Sequence, residues 1–191
     1  MKRRAFLRTS LYAGVALSLP SSPILGANDT IRIGAIGLGS FVKIGGKGRK
    51  DVQDFNKIDG VRVTSVCDCD SDNLAYVVGQ YKKQGLKAKA HRDFRRILDD
   101  PDIDAVCIVT PNHWHSLMTI MACQAGKDVF VQKPSSHNIF EGRKMVEAMR
   151  KYNRIVQATH SPRNSGAIDE SYDYIWDGKL GKIQCVYGIN Y

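Results

Sequence analysis

Apolar residues along this chain fall in short blocks separated by longer segments of mixed polarity. "IRIGAI" (31–36), "VRVTSVC" (61–67), "AVCIV" (105–109), "DVFV" (128–131) and "RIVQA" (154–158) are mostly apolar and rich in β-branched residues. Runs of that length without alternation are the mark of strands covered on both faces. The intervening segments carry helical spacing instead. Leu74, Val77, Val78 and Tyr81 form one stripe, and Leu117, Ile120, Met121 and Gln124 form another that Gly126 stops. Phe140, Met145 and Met149 form a third. A weaker strand is expected around Ala88–Ala90 and a helix over Asp93–Leu98. Strands alternating with helices predict an α/β fold, a doubly wound parallel sheet of the Rossmann type in the order 3-2-1-4-5-6 with right-handed crossovers.

The two ends of the chain break this rhythm. "MKRRAFLRTS" carries the twin arginine Arg3-Arg4, and "LYAGVALSLP" follows with about ten apolar positions. That is too short for the ~20 helical residues that span a bilayer, so residues 1–27 read as a twin-arginine export signal cleaved near Ala27. The expected location is periplasmic or otherwise extracytoplasmic, with no membrane contact beyond export. After residue 160, "SPRNSGAIDESYDYIWDGKLGK" reads as a loop, a helix over about 167–176 and a turn, and "IQCVYGINY" (183–191) alternates like a strand. The expected organisation is therefore a signal peptide (1–27), a nucleotide-binding Rossmann domain (28–160) and only the start of a truncated C-terminal substrate domain (161–191).

Composition narrows the partners. The 191 residues carry a formal charge of +9, and removal of Lys2, Arg3, Arg4 and Arg8 with no acid lowers it to +5. Modest positive charge without basic runs or interleaved aromatics is a solvated surface, so no nucleic acid is expected. Five cysteines (67, 69, 107, 123, 185) include no C-x-x-C pair; Cys67 and Cys107 lie in apolar strands as buried thiols. Cys67 and Cys69 lack further ligands nearby, and His113 and His115 lack the i, i+4 spacing of a helical metal pair, so no metal is expected.

The residues with chemistry cluster at strand ends. Gly37 and Gly39 follow the first strand, where a tight turn lets backbone N–H groups and a helix N-terminus meet a pyrophosphate. The third glycine of G-x-G-x-x-G falls at Val42; glycines 45, 46 and 48 come soon after, which suggests an enlarged loop. Asp68 ends the second strand, either as a ligand of ribose hydroxyls or as a strand-end cap. An acid there favours NAD over NADP, a preference that Arg62 or nearby lysines would weaken. "VTPNHWH" (109–115) ends the fourth strand, where Thr110, Pro111 and Asn112 turn the chain; Thr110 or Asn112 is a candidate helix cap. His115 is expected to face the helix N-terminus and the cleft. Lys133-Pro134 ends the fifth strand beside the switch in strand order. There an ammonium can hold a substrate hydroxyl or share its proton, or can be an ordinary strand-end lysine.

Taken together, Gly37-x-Gly39, Asp68, "TPNHWH" (110–115), "AGKDVFVQKP" (125–134) and "EGRKMVEAMRKYNRIVQ" (141–157) resemble the Gfo/Idh/MocA oxidoreductases. The resemblance implies an NAD(P)-binding Rossmann domain and oxidation or reduction at a carbinol carbon of a sugar, cyclitol or derivative; with the acid at Asp68, the expected cofactor is NAD, and NADP less so. It implies pyrophosphate on Gly37 and Gly39, the adenosine ribose on Asp68, and Lys133 at the reacting hydroxyl. Asn112 and His115 would line the nicotinamide side and Pro134 would shape the adjacent backbone, with Thr110 and Pro111 also among the cofactor-binding residues. It also implies oligomerisation through the C-terminal sheet, so a homo-oligomer is an expected partner beside the small sugar-like substrate.

Three departures bear on activity. Gln132 stands where the family has a glutamate, which removes an anion that would favour a charged Lys133. Val42 departs from the glycine pattern. The family's acid/base histidine comes from beyond residue 191; His160 is considered as a stand-in. The competing readings are a non-catalytic nucleotide-binding remnant or a fragment that needs a partner chain, and an NAD-dependent glycosidase that oxidises, eliminates and re-reduces. A methyltransferase fits the first strand alone, and the Lys-Pro after the fifth argues against it.

Overall fold

The computed structural model describes residues 30–40, 46–159 and 165–189. Its elements alternate strictly: β1 (Ile31–Ile36), α1 (Lys47–Phe55), β2 (Val61–Cys67), α2 (Ser71–Lys83), β3 (Lys89–His91), α3 (Arg95–Leu98), β4 (Ala105–Ile108), α4 (Asn112–Gln124), β5 (Asp128–Val131), α5 (Ile139–Lys151), β6 (Val156–Ala158) and α6 (Gly166–Trp176). The six strands are parallel and stand in the order β3-β2-β1-β4-β5-β6. This is the α/β doubly wound Rossmann sheet that the alternating pattern predicts. The expected strand near 88–90 is displaced by one residue, and the expected helix over 93–98 shortens to the single turn Arg95–Leu98, ahead of which Asp93 accepts from Arg95 N at 3.0 Å.

Each strand divides its side chains between two cores. Ile33 and Ala35 of β1, Val63 of β2 and Cys107 of β4 pack with Val52 of α1 and Val77 and Tyr81 of α2. Ile36, Val106, Ile108, Val129 and Val131 pack on the other face with Met118 and Ala122 of α4 and Met145 and Ala148 of α5. With both faces covered, nearly every strand position is apolar. Local signals fix the helix ends: the Asp70 carboxylate accepts from Asp72 N (2.7 Å) and Asn73 N (3.2 Å) at the start of α2, and Asn138 accepts from Glu141 N (2.9 Å) at the start of α5. Lys127 is buried, and its ammonium donates to the carbonyls of Asp100 (2.7 Å) and Ile103 (2.8 Å), locking the approach to β4 against the approach to β5.

The tail differs from expectation at one place. The helix over 166–176 forms, yet none of its residues is buried. Residues 183–189 are exposed and form no strand. Their alternation supplies one apolar face, but the described residues offer it no neighbouring edge, and a strand without a partner leaves its amides to water. Residues 1–27, Val42 and His160 lie outside the described residues.

Candidate active site at the carboxyl ends of the strands

The strand order reverses between β1 and β4, and ligands of open α/β sheets sit outside the carboxyl ends at such a switch. A cavity of about 460 Å³ opens there, lined by Gly37, Gly39, Asp68, Thr110 and Pro111 among others. The backbone forms much of its floor. Gly37 has φ +85°, and a Cβ on it would stand 2.8 Å from the Val109 carbonyl oxygen. Its N–H donates to Cys67 O at 2.9 Å. The third glycine of the fingerprint is Gly48, well beyond position 42: any Cβ there would run into the Gly37 carbonyl oxygen. The glycine loop is therefore enlarged, as the spacing suggested, and α1 still packs directly beneath it, with Arg49 N donating to Leu38 O at 3.1 Å. Among the described residues, no side chain caps the N-terminus of α1.

Asp68 caps the end of its strand. Oδ2 accepts from Leu38 N in the glycine loop (2.8 Å), and Oδ1 accepts from Asp70 N (3.0 Å). It also lines the cavity, and each carboxylate oxygen keeps a second lone pair for another donor. Arg62, in contrast, sits near the opposite end of β2 and donates to Ile58 O and Val61 O, so it cannot act on this pocket. The pocket cation is Arg92, which lies just past β3 and donates to Cys69 O at 3.2 Å.

The cavity has apolar walls. Phe94 and Trp114 meet edge to face with centroids 6.5 Å apart, and Met118 joins them, its sulfur 3.8 Å from the Thr110 hydroxyl. Burial, with a smaller contribution from the Asp68 charge, pushes the Cys67 thiol up to about 12, so it stays protonated at neutral pH. Burial above all, then the Asp51 charge, also pushes the Cys107 thiol up. Neither thiol is a nucleophile. Among the described residues, no group of three His, Cys, Asp or Glu side chains could hold a metal ion.

The remaining predicted residues stand beside the cavity. Neither Thr110 nor Asn112 caps α4: Pro111 occupies the N-cap, no side chain caps it, and Asn112 is the first helical residue. His115 is 1% exposed, and its ring is enclosed by backbone, with Nδ1 2.6 Å from Pro134 O and Nε2 2.7 Å from Thr110 O. It braces the ends of β4 and β5 against each other. Its nitrogens therefore face carbonyls, where the sequence suggested the cleft. Lys133 is exposed and has no polar partner among the described residues; the peptide to Pro134 is cis. Gln132, just before it, is buried.

The carboxyl rim thus carries a glycine cradle that side chains would fill, an acid at the end of β2 and an exposed lysine at the end of β5. Residues 31–160 match the profile of the oxidoreductase family with an NAD-binding Rossmann fold, Gfo/Idh/MocA. The chain belongs to the Gfo/Idh/MocA oxidoreductase family. Its relatives include a levoglucosan dehydrogenase of Pseudarthrobacter phenanthrenivorans, 36% identical over 48% of this chain and 23% of that one. A glycosyl hydrolase family 109 protein of Shewanella pealeana is 30% identical over 74% of this chain and 35% of that one. Among solved structures, the scyllo-inositol dehydrogenase of Lactobacillus casei with bound NAD(H) and scyllo-inositol has a TM-score of 0.70 at 26% identity. That comparison covers 81% of this chain and 43% of that one. The Gfo/Idh/MocA chain thus spans well under half the length of the relatives it matches.

Arg92, Phe94, Trp114 and Met118 are pocket residues that the hydrophobic pattern does not single out. Arg92 was within reach of the rule that picked Asp68, since it directly follows a strand on the same rim. Trp114 and Met118 read only as helix residues until the helix is placed.

Proposed function

We propose that this chain binds NAD across the carboxyl rim of its sheet and serves an oxidoreductase that acts on a carbinol carbon of a sugar or cyclitol. The observation that carries the reading is the juxtaposition of the contact between Gly37 and Gly48 and of Asp68 with the exposed Lys133 on one rim. In it, the amides near Gly37 and Gly39 and the N-terminus of α1 hold the pyrophosphate. Asp68 accepts from the adenosine ribose, and the apolar wall of Phe94 and Met118 excludes water beside it. Bound NAD supplies the hydride acceptor. Lys133 holds the substrate hydroxyl and shares its proton as the carbinol is oxidised. Pro134 and His115 set the backbone from which Lys133 projects, and Thr110, Pro111 and Asn112 shape the nicotinamide side. In this reading, residues 1–27 direct export, and a homo-oligomer is the working form.

Titration calorimetry with NAD and NADP on the purified protein tests the coenzyme, with binding of NAD in preference to NADP expected. No heat with either would overturn the reading. A panel of sugars and cyclitols, followed at the NADH absorbance band, tests the reaction. The 30% identical family 109 relative favours one second reading, net glycoside cleavage. Release of an aryl leaving group without accumulation of NADH would select it.

A further inference from the structure

One buried contact lies between the two ends of the cleft. Asp51 of α1 and Gln132, which joins β5 to Lys133, are each 5% exposed. Gln132 Nε2 donates to Asp51 Oδ2 at 2.6 Å across 81 positions of sequence. The other carboxylate oxygen, Oδ1, accepts from Lys47 one turn earlier on α1. On the sheet side, Gln132 N donates to Ile108 O at 3.0 Å, which holds the same residue to the end of β4. The helix that packs beneath the glycine loop is thus bonded, side chain to side chain, to the residue that precedes Lys133.

The chemistry of the pair allows only one charge. A buried carboxylate needs donors, and Asp51 has a cation on one oxygen and an amide on the other. Glutamate at 132 would have the same reach but would present only acceptors when ionised. Two carboxylates in hydrogen-bonding contact cannot both stay ionised. The groups that face Asp51 among the described residues are Lys47 on its own helix, Gln132 at the end of β5 and the Cys107 thiol of β4, which already feels the Asp51 charge. A second anion would have Lys47 in contact and, on the same helix, Lys50, which feels the Asp51 charge but is bonded to Asp54, to offset it.

We propose that Asp51 is a positioning residue of the coenzyme site and that Gln132 is its matched neutral partner. The two hold one negative charge between the glycine-loop helix and the Lys133 peptide, and so fix the spacing of the two ends of the cleft. This rests on the coenzyme reading above.

The test is NAD affinity by titration calorimetry at pH 6 and pH 8 on the full chain and on Q132E, D51N and the double variant D51N/Q132E, with thermal melts beside each. Q132E is expected to bind about tenfold more weakly than wild type at pH 8 and to recover most of that loss at pH 6, where one proton shared by the two carboxylates restores the single charge. The double variant is expected within about threefold of wild type at both pH values, because one acid and one amide again face each other. Q132E affinity equal to wild type, with only the melting temperature moved, would overturn the positioning role. A double variant no better than Q132E would overturn the pairing. Should Q132E not fold, D51N carries the test: about fivefold weaker binding at both pH values supports the proposal, and unchanged affinity overturns it. Wild-type protein that binds neither coenzyme would instead remove the coenzyme reading on which the pair depends.

Discussion

The end of β1 and the end of β5 lie on the same carboxyl rim of the sheet and are built by opposite means. At β1 the site is backbone. Gly37 turns against the Val109 carbonyl, Gly48 lets α1 close beneath it, and Asp68 fixes the Leu38 amide. At β5 the site is one exposed lysine without a polar partner among the described residues, aimed only through its neighbours. Gln132 is bonded to Asp51, and the Pro134 carbonyl is braced by His115. A part of a ligand that never changes can be met by a surface fixed in advance. A group that must engage a reacting hydroxyl has to remain free, and its aim is set by what surrounds it.

Substitutions should separate the two ends in proportion to that difference. Gly48→Val is the harshest test of the rigid end, because the new side chain cannot coexist with the Gly37 carbonyl. A stability loss of about 3 kcal/mol or more, seen in urea denaturation, should accompany loss of NAD binding. A Gly48→Val protein that binds NAD normally would show that the cradle is not where the coenzyme sits. His115→Ala strikes the brace behind the β5 end. It opens a cavity and strips two carbonyls of a ring contact, for an expected cost of about 2–3 kcal/mol by the same measurement. Lys133→Ala should be nearly silent in stability, within about 0.5 kcal/mol. It should leave NAD affinity within a few fold while it suppresses hydride transfer with any substrate that wild type accepts. A large stability change on removing Lys133 would mean that the lysine is structural and that the contrast is false.

The smallest expected effect lies at the far rim. Burial alone would raise the Asp104 carboxyl, but bonds from Arg32 outweigh it and hold the group below its usual range. A carboxylate depressed in the folded state contributes stability above its unfolded value and loses it as pH falls through its folded value. The melting temperature should be flat from pH 7 to pH 5 with respect to this group and should fall below about pH 4. Asp104→Asn should flatten part of that fall, and coenzyme affinity at neutral pH should be untouched.

Strand order, helix stripes and the rim that carries Asp68 and Lys133 were legible because each rests on local periodicity or on a residue at a strand end. Gly48 was visible as a glycine but not as the one beneath Gly37, since an enlarged loop hides which position returns to the turn. The fate of His115 depended on two carbonyls 5 and 19 residues away, and that of Gln132 on an acid 81 residues away. No local window of sequence contains both His115 partners, or the Gln132 partner. The tail was misread for a related reason: alternation at 183–189 predicts a strand, but a strand also needs a neighbour.

Cys69 has a consequence of its own. It is exposed, whereas Cys67, Cys107 and Cys123 are buried, and it lies on the wall of the cavity beside Asp68. A thiol reagent should therefore modify this site in the empty protein and be shielded from it when the pocket fills, with the exposed Cys185 as an internal reference. The molecule carries its own reporter of occupancy, readable by mass spectrometry without knowing the substrate.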